Sequence, residues 1–376
     1  MLEALKISGF RKYNELLLNN LGRINCVLGS NNIGKTSILE AVYAWACGQN
    51  VIAIIAGPMS RERYPTINNP YWMMEELLTL FNDRYNLPLK MKFDGTNDGE
   101  RICFEHVVNP SDILTDYDSS YKNFPDSVIT SRNTGQLPQK LQSIIPLELI
   151  KSDIKALAKW EITLNGKNKI SYDITVPVLQ TAEINAYMPA SFIDMLSHTV
   201  IMGNVKIYGL LKREKLIDEF VNEISRVFPE ISGFDMIPFP DASQSSISII
   251  KKDGGMLPIY AYGDGVQKWF HILGSIVLYR NALLCIDEID TSFHPAAQQK
   301  FCANLINAAN RNNVQIFMTT HNLEFVDNFL TAAEKINDKD SIRIITLEEN
   351  EGKIFTRVLD NQEAFEARNE FGIDLR

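Results

Sequence analysis

Gly29-Ser30-Asn31-Asn32-Ile33-Gly34-Lys35-Thr36-Ser37 is a phosphate-binding loop in full. Before it stands an apolar run, Ile24 to Leu28, with the character of a strand. After it Ile38, Leu39, Ala41, Val42 and Trp45 recur at helical spacing. The pattern G-x-x-x-x-G-K-[ST] carries meaning only between a strand and a helix, and here both flanks are present. The glycines let backbone N–H groups turn toward the β- and γ-phosphates of a nucleotide, and the helix N-terminus adds partial positive charge. Lys35 is placed to reach those phosphates and Thr36 to ligate Mg²⁺. The expectation is a nucleoside triphosphate, with Gly29 through Ser37 as its cradle.

The rest of the chain sets bounds. Its 376 residues, 45% hydrophobic and 22% charged, are ordinary for a soluble globular protein of one large or two smaller domains. A net charge of −9 argues against a basic surface that coats nucleic acid, though a local basic groove remains compatible with it. Five scattered cysteines (Cys26, Cys47, Cys103, Cys285, Cys302) include no CxxC pair or Cys/His cluster, and read as reduced core residues. Met1 to Ile7 alternates like a strand rather than a signal peptide, and the most apolar stretches, Val51–Ala56 and Leu273–Tyr279, are too short to cross a bilayer. The expected location is cytoplasmic, with no membrane contact.

Residues 1–9 and 23–28 read as two strands bracketing a turn. From about 50 to 260 short strand candidates (Leu89–Phe93, Arg101–Val107, Trp160–Leu164, Lys169–Val176, Ser246–Lys251) alternate with polar turns such as Asp94–Gly99 and Asn165–Asn168. Two helical patterns lie among them, Leu137–Ala158 and Val205–Phe228. Beyond about 258 the pattern becomes helix Val266–Tyr279, strand Ala282–Ile286, helix Ala296–Asn310, strand Val314–Thr319, helix Leu323–Phe329 and strands Ile342–Leu347 and Lys353–Leu359. That alternation predicts a parallel sheet. The expected organisation is an α/β core split between 1–50 and 256–376. Residues 51–255 form an inserted α+β and helical region that partly continues an antiparallel sheet of the core.

Three further elements complete a hydrolytic site. Leu283–Ile286 is an apolar strand ending in Asp287-Glu288, which would present both carboxylates at the sheet's carboxyl edge beside the loop. Asp287 is placed to hold Mg²⁺, usually through water, and Glu288 to orient or deprotonate the attacking water. His321 follows the strand Ile316–Thr320 at the same edge, where it can bond a γ-phosphate or the water. Gly263-Asp264-Gly265 immediately precedes a helix, a second place where backbone can approach phosphate. One chain already has a helix terminus for its nucleotide, so this second one is most simply used on a nucleotide held by a partner subunit.

In this order the elements resemble the ATP-binding-cassette superfamily, and more narrowly its soluble branch of SMC, RecF and overcoming-lysogenization-defect (OLD) ATPases. The likeness is greatest to small bacterial AAA_15/AAA_21-type ATPases. It is carried by Phe10-Arg11, Gly29–Thr36, Gly263–Gly265, Asp287-Glu288-Ile289, His294-Pro295 and Thr319-Thr320-His321. The resemblance implies an ABC-type head with a mixed central sheet and a head-to-tail ATP-sandwich dimer. Gly263–Gly265 of one subunit would cap ATP on the other, Asp290 would communicate across the interface, and Phe10 and Arg11 would lie near the nucleotide. Two features depart from the family. Gly263 stands where its signature has a serine, and no glutamine loop can be assigned, Gln49 and Asn82 being the candidates.

Relatives of this type serve as ATPase partners in bacterial anti-phage systems, so the resemblance implies a subunit that gates a separate effector such as a Toprim or HNH nuclease. The stretch after His321 is too short for a Toprim domain, and Asp338-Lys339-Asp340 reads as a solvated turn, so nuclease activity is not expected in this chain. A RecF-like clamp on duplex DNA is the alternative. Its basic candidates are Lys151, Lys155, Lys159, Lys167 and Lys169 with Lys206, Lys212, Arg213 and Lys215.

Overall fold

The computed structural model describes residues 1–51, 53–54, 78–83, 87–110, 158–174, 186–195, 197–198, 201–238, 245–293, 295–336 and 341–376. The expected helix 137–158 and the motifs at His294 and 338–340 lie outside them, except that Ala158 opens a strand instead.

Two six-stranded sheets enclose the helix that follows the loop. The first runs β2-β1-β4-β5-β6-β7 and is antiparallel throughout: β1 Leu2–Phe10, β2 Tyr13–Leu18, β4 Leu89–Asn97, β5 Glu100–Pro110, β6 Ala158–Leu164 and β7 Asn168–Ile174. The expected strand candidates between 89 and 176 thus extend the sheet that β1 begins. Strand β2 stands where only a turn was expected. Its residues alternate between core and solvent, with Tyr13, Leu16 and Leu18 buried.

The central sheet has the order β15-β14-β3-β13-β12-β8. Strands β3 Ile24–Gly29, β8 Ala190–Ile193, β12 Leu283–Ile286, β13 Gln315–Thr319 and β14 Ile342–Asn350 are parallel, and β15 Lys353–Asp360 closes the edge antiparallel. Every residue of β3, β12 and β13 is buried, as strands covered on both faces must be. The side chains alternate between two cores. Ile24, Cys26, Leu284, Ile286, Ile316 and Met318 face one, while Val27, Leu283, Cys285 and Phe317 face the other.

Helix α1, Lys35–Cys47, fills the second core between the sheets, with Trp45 fully buried. Burial of each large apolar side chain along it stabilises the packing by about 1.5–3 kcal/mol. The first core is roofed by α2 Ile201–Arg213, α3 Ile217–Ile224, α4 Asp264–Leu278, α5 Pro295–Asn312 and α6 Leu323–Ile336. The single helix expected over Val205–Phe228 is two helices, parted where Lys215 takes φ 59°. A small antiparallel sheet, β9 Ile231–Pro238, β10 Ser245–Lys251 and β11 Met256–Pro258, precedes α4.

The chain ends in α7, Asn361–Asn369, which no expectation covered. Asp360 caps it, accepting from the Glu363 N–H, while Glu363 accepts from the Asp360 N–H. Among the described residues no helix is long and apolar enough to cross a membrane.

Candidate nucleotide site

Strand β3 delivers the loop 29–34 at the carboxyl edge of the central sheet, and α1 starts at Lys35. The turn needs left-handed backbone at Gly29 (φ 142°), Asn32 (φ 62°) and Gly34 (φ 114°). At Gly34 a side chain has no room, because a Cβ would lie 2.6 Å from the Tyr13 hydroxyl. That hydroxyl donates to the Gly34 carbonyl at 2.7 Å, and the Lys12 ammonium donates to the Asn32 carbonyl. The β1–β2 turn therefore braces the loop from outside.

Ser30, Asn31 and Asn32 are exposed, Ile33 is buried against Gly29, and Thr36 and Ser37 are half-buried at the first turn of α1. Lys35 is buried, its Nζ donating to the carbonyls of Gly29 at 2.9 Å and Ser30 at 2.8 Å. Burial lowers its pKa, and the charges of Asp287 and Glu288 oppose that without cancelling it.

Arg11 occupies the same β1–β2 turn but its guanidinium points elsewhere. It makes two bonds to the buried Glu40 carboxylate, at 3.0 and 3.2 Å, and one to the Thr79 hydroxyl at 2.8 Å. Lys12 and Tyr13, which sequence reasoning passed over, are the residues of this turn that touch the loop. Asn82 is also spent on the turn, donating to the Arg11 carbonyl at 2.9 Å.

The acidic pair arrives as the strand pattern requires. Asp287 Oδ1 accepts from Thr36 Oγ1 at 3.2 Å and from Thr319 Oγ1 at 2.6 Å, so residues distant in sequence meet at one carboxylate oxygen. The same Thr319 hydroxyl accepts from the Glu288 N–H at 2.8 Å. Glu288 itself takes φ 46°, an uncommon conformation for a residue with a side chain and one held where structure over-determines it. His321 sits half-buried between β13 and α6, past the same edge. Asp290 accepts from Thr320 Oγ1 at 2.5 Å.

Gly263 (φ 96°) precedes α4, and Asp264 and Gly265 form that helix's first turn. A Cβ on Gly265 would lie 2.6 Å from the Ser292 carbonyl, so the turn packs directly on the loop after β12. Asp264 bonds the Ser292 hydroxyl and, at 2.9 Å, Nε2 of the buried His198. Burial alone would raise the Asp264 pKa. The bonds from Ser292 and His198, with the charges of His198 and Lys268, outweigh it and leave the pKa lowered. Gly263 and Asp264 are exposed even so.

Strand β8 brings a residue that the sequence did not flag. Its last residue, Ile193, lies beside Ile286 and accepts the Asp287 N–H at 2.8 Å, so Asp194 leaves the sheet alongside the acidic pair. The stretch Ala190–Ile193 is too short for a period-two signal. The central sheet thus draws a strand from within 51–255.

The residue pattern, the strand–loop–helix geometry and the parallel sheet agree with one family model, which spans residues 24–327: "AAA domain, putative AbiEii toxin, Type IV TA system". The chain belongs to this family. It is 21% identical over 343 residues to an "ATP/GTP phosphatase" of Helicobacter pylori, covering 87% of each chain. A shorter match, 41% over 49 residues, is to the DNA replication and repair protein RecF of Idiomarina loihiensis, and covers 13% of this chain and 14% of that protein.

The fold is that of ABC-type ATPase heads of the SMC/RecF branch. An SMC head bound to the C-terminal winged-helix domain of ScpA superposes with a TM-score of 0.52 at 14% identity, covering 97% of this chain and 99% of that one. A second SMC head with an extended coiled coil, bound to the C-terminal domain of ScpA derived from Pyrococcus furiosus, gives 0.51 at 11% identity and 99% of both chains. This AAA-domain member therefore has the mixed α/β head expected of its motifs.

Proposed function

We propose that this AAA-domain chain binds and hydrolyses ATP as a subunit of a bacterial anti-phage defence complex. It assembles head to tail as an ATP-sandwich dimer or higher assembly, and it scaffolds, senses and gates a separate effector such as a Toprim or HNH nuclease. Its core is split between 1–50 and 256–376, with β8 returned to the core from the region between. The observation that carries the hydrolytic part is the meeting of Thr36, Asp287 and Thr319 on one carboxylate oxygen, with Glu288 next in chain and Lys35 opposite. The ATP/GTP phosphatase relative agrees with it. The family description, which names a putative toxin of a Type IV TA system, supports the defence setting.

The residues present fit ATP and Mg²⁺. A hydroxyl and a carboxylate oxygen converge at 3.2 Å, hard donors suited to Mg²⁺, beside a loop whose glycines open it to phosphate. When bound, Mg²⁺ supplies charge neutralisation on the phosphate oxygens, held by Thr36 and Asp287. Backbone N–H groups of 29–37 and the α1 N-terminus orient the triphosphate, and Lys35 exchanges its two carbonyl partners for phosphate oxygens. Glu288 takes a proton from the attacking water, and His321 donates toward the charge that develops on the transferred group. Gly263–Gly265 of the partner subunit closes the site from the other side.

The experiment is affinity purification of the Glu288→Gln protein from its native cells with ATP and Mg²⁺. A stoichiometric nuclease-like or toxin-like partner supports the defence complex. Recovery with nuclease-sensitive nucleic acid and no protein partner moves the reading to a RecF-like clamp, which the local RecF match favours. The basic candidates weigh against that clamp: Lys159 and Lys169 pair with Glu161, and Arg213 pairs with Glu214. Of the same set, Lys151 and Lys155 lie outside the described residues.

A further inference from the structure

Lys268 lies one turn into α4 and is completely buried, in a helix whose residues from Lys268 to Val277 are all buried. A buried ammonium is tolerated only where its protons find acceptors. Lys268 Nζ donates to the Glu288 carbonyl at 2.6 Å and to the Thr291 carbonyl at 3.2 Å, and bonds the Thr291 hydroxyl as well. The Phe293 ring closes the pocket 5.9 Å away.

The consequence is for Glu288. Its N–H is fixed by Thr319 at 2.8 Å, and its carbonyl accepts from Lys268 at 2.6 Å as well as from the Thr291 hydroxyl at 2.9 Å and N–H at 3.2 Å, so the peptide units on both sides of a residue at φ 46° are pinned. Left-handed backbone is costly for any residue with a Cβ, and this clamp holds it. The clamp also spans two functional segments. Lys268 stands one helical turn after Asp264, which bonds Ser292, and Gly265 packs on the Ser292 carbonyl. The 263–265 turn and the 288–293 loop are therefore one mechanical unit.

We propose that Lys268 is a positioning residue for hydrolysis: it sets the direction of the Glu288 carboxylate and ties it to the turn that would face a partner's nucleotide. The proposal rests on the reading of Glu288 as the base. It deepens that reading by assigning the control of Glu288 to the α4 helix of the same chain. Lys268 bonds neither the 29–37 loop nor Asp287 and acts on Asp287 only through its charge, the smallest of four carboxylate influences on it, so nucleotide affinity is expected to change little.

The test compares Lys268→Met, which keeps length and loses every donor, with Lys268→Gln, a neutral side chain that can still donate to the Glu288 carbonyl. Kd for a fluorescent ATP analogue is measured alongside steady-state phosphate release. Lys268→Met is expected to lower kcat about 100-fold, the scale of an ångström-level misplacement, while Kd and KM stay within about twofold. Lys268→Gln is expected to lose only about tenfold.

An active wild type whose Lys268→Met variant keeps its kcat overturns the proposal alone, as does a variant whose loss lies in KM. A wild type that releases no phosphate overturns the reading of Glu288 and this proposal with it. If Lys268→Met fails to fold, Lys268→Gln decides: reduced kcat at unchanged Kd supports the clamp, and unchanged kcat overturns it.

Discussion

Thr319→Val removes one hydroxyl and keeps the shape of a fully packed side chain. In the wild type that hydroxyl donates to Asp287 Oδ1 at 2.6 Å and accepts from the Glu288 N–H at 2.8 Å, with Thr319 only 1% exposed. A hydrogen bond to a charged group contributes about 1.5–3 kcal/mol, and a stranded N–H costs about 1–3 kcal/mol. Asp287 and Glu288 are half-buried, so water recovers part of both terms and the lower end applies. The expected destabilisation is about 2 kcal/mol, read as a lower urea midpoint. The kinetic effect should be larger, because the Asp287 carboxylate and the Glu288 backbone lose the group that aligns them. A shift of about 1 Å corresponds to a loss of about 100-fold in kcat. Phosphate release by Thr319→Val and by Thr319→Ser, which keeps the hydroxyl, is the assay. If Thr319→Val hydrolyses at the wild-type rate while remaining folded, the claim that this hydroxyl organises the acidic pair is wrong.

The other expectations concern the loop, the turn and the core. Lys35→Ala should lose nucleotide affinity by more than about tenfold in equilibrium titration, since a buried cation aimed into the loop is removed; retained affinity would remove Lys35 from the site. Gly265→Ala forces a Cβ to 2.6 Å from the Ser292 carbonyl, and should leave binding at 29–37 intact while hydrolysis falls about 100-fold; full activity would show that the 263–265 turn is not coupled to the 288–293 loop. His106 is fully buried against Trp160, which donates to its Nδ1 at 3.2 Å, and burial pushes its pKa down to about 3. The unfolded chain binds a proton near pH 6.5 that the folded chain refuses until about 3, so the contribution is fully present above 6.5 and is lost as pH falls through that window. The unfolding free energy from urea titrations should therefore decline below pH 6.5 at up to about 1.4 kcal/mol per pH unit from this group, and His106→Gln should flatten the decline; an identical slope in the variant would contradict the assignment.

Much of the site was legible because its elements carry two signals each. The run Ile24–Leu28 is apolar apart from Asn25, and the glycines and Lys35 that follow stand in the order of a phosphate-loop pattern. Leu283–Ile286 is apolar on both faces and ends in acids. The residues that went unread carry one signal or none. Lys268 is a single lysine in a helical run, and only the all-round burial of α4 shows that it cannot reach water. Asp194 follows a four-residue strand whose identity comes from its register against β12. Strand β2 does alternate, but its exposed Leu17 blurs the period, and the helical pattern at 205–228 hides a break at Lys215. The Asp360–Glu363 capping box carries a single local signal, an acid three residues before a glutamate, with no long apolar run behind it. Arg11 shows the opposite limit: the motif brings it to the right turn, and the buried Glu40 of α1 takes its guanidinium.

In the proposed composite site, each subunit's Gly263–Gly265 would complete the nucleotide held by the other. Its most direct test is specific ATPase activity measured across protein concentration, with molecular mass by light scattering in the same samples. Specific activity should rise with concentration and level off as dimer forms, and Glu288→Gln should hold the dimer with ATP while releasing no phosphate. Constant specific activity down to concentrations at which the chain is strictly monomeric would contradict the sandwich.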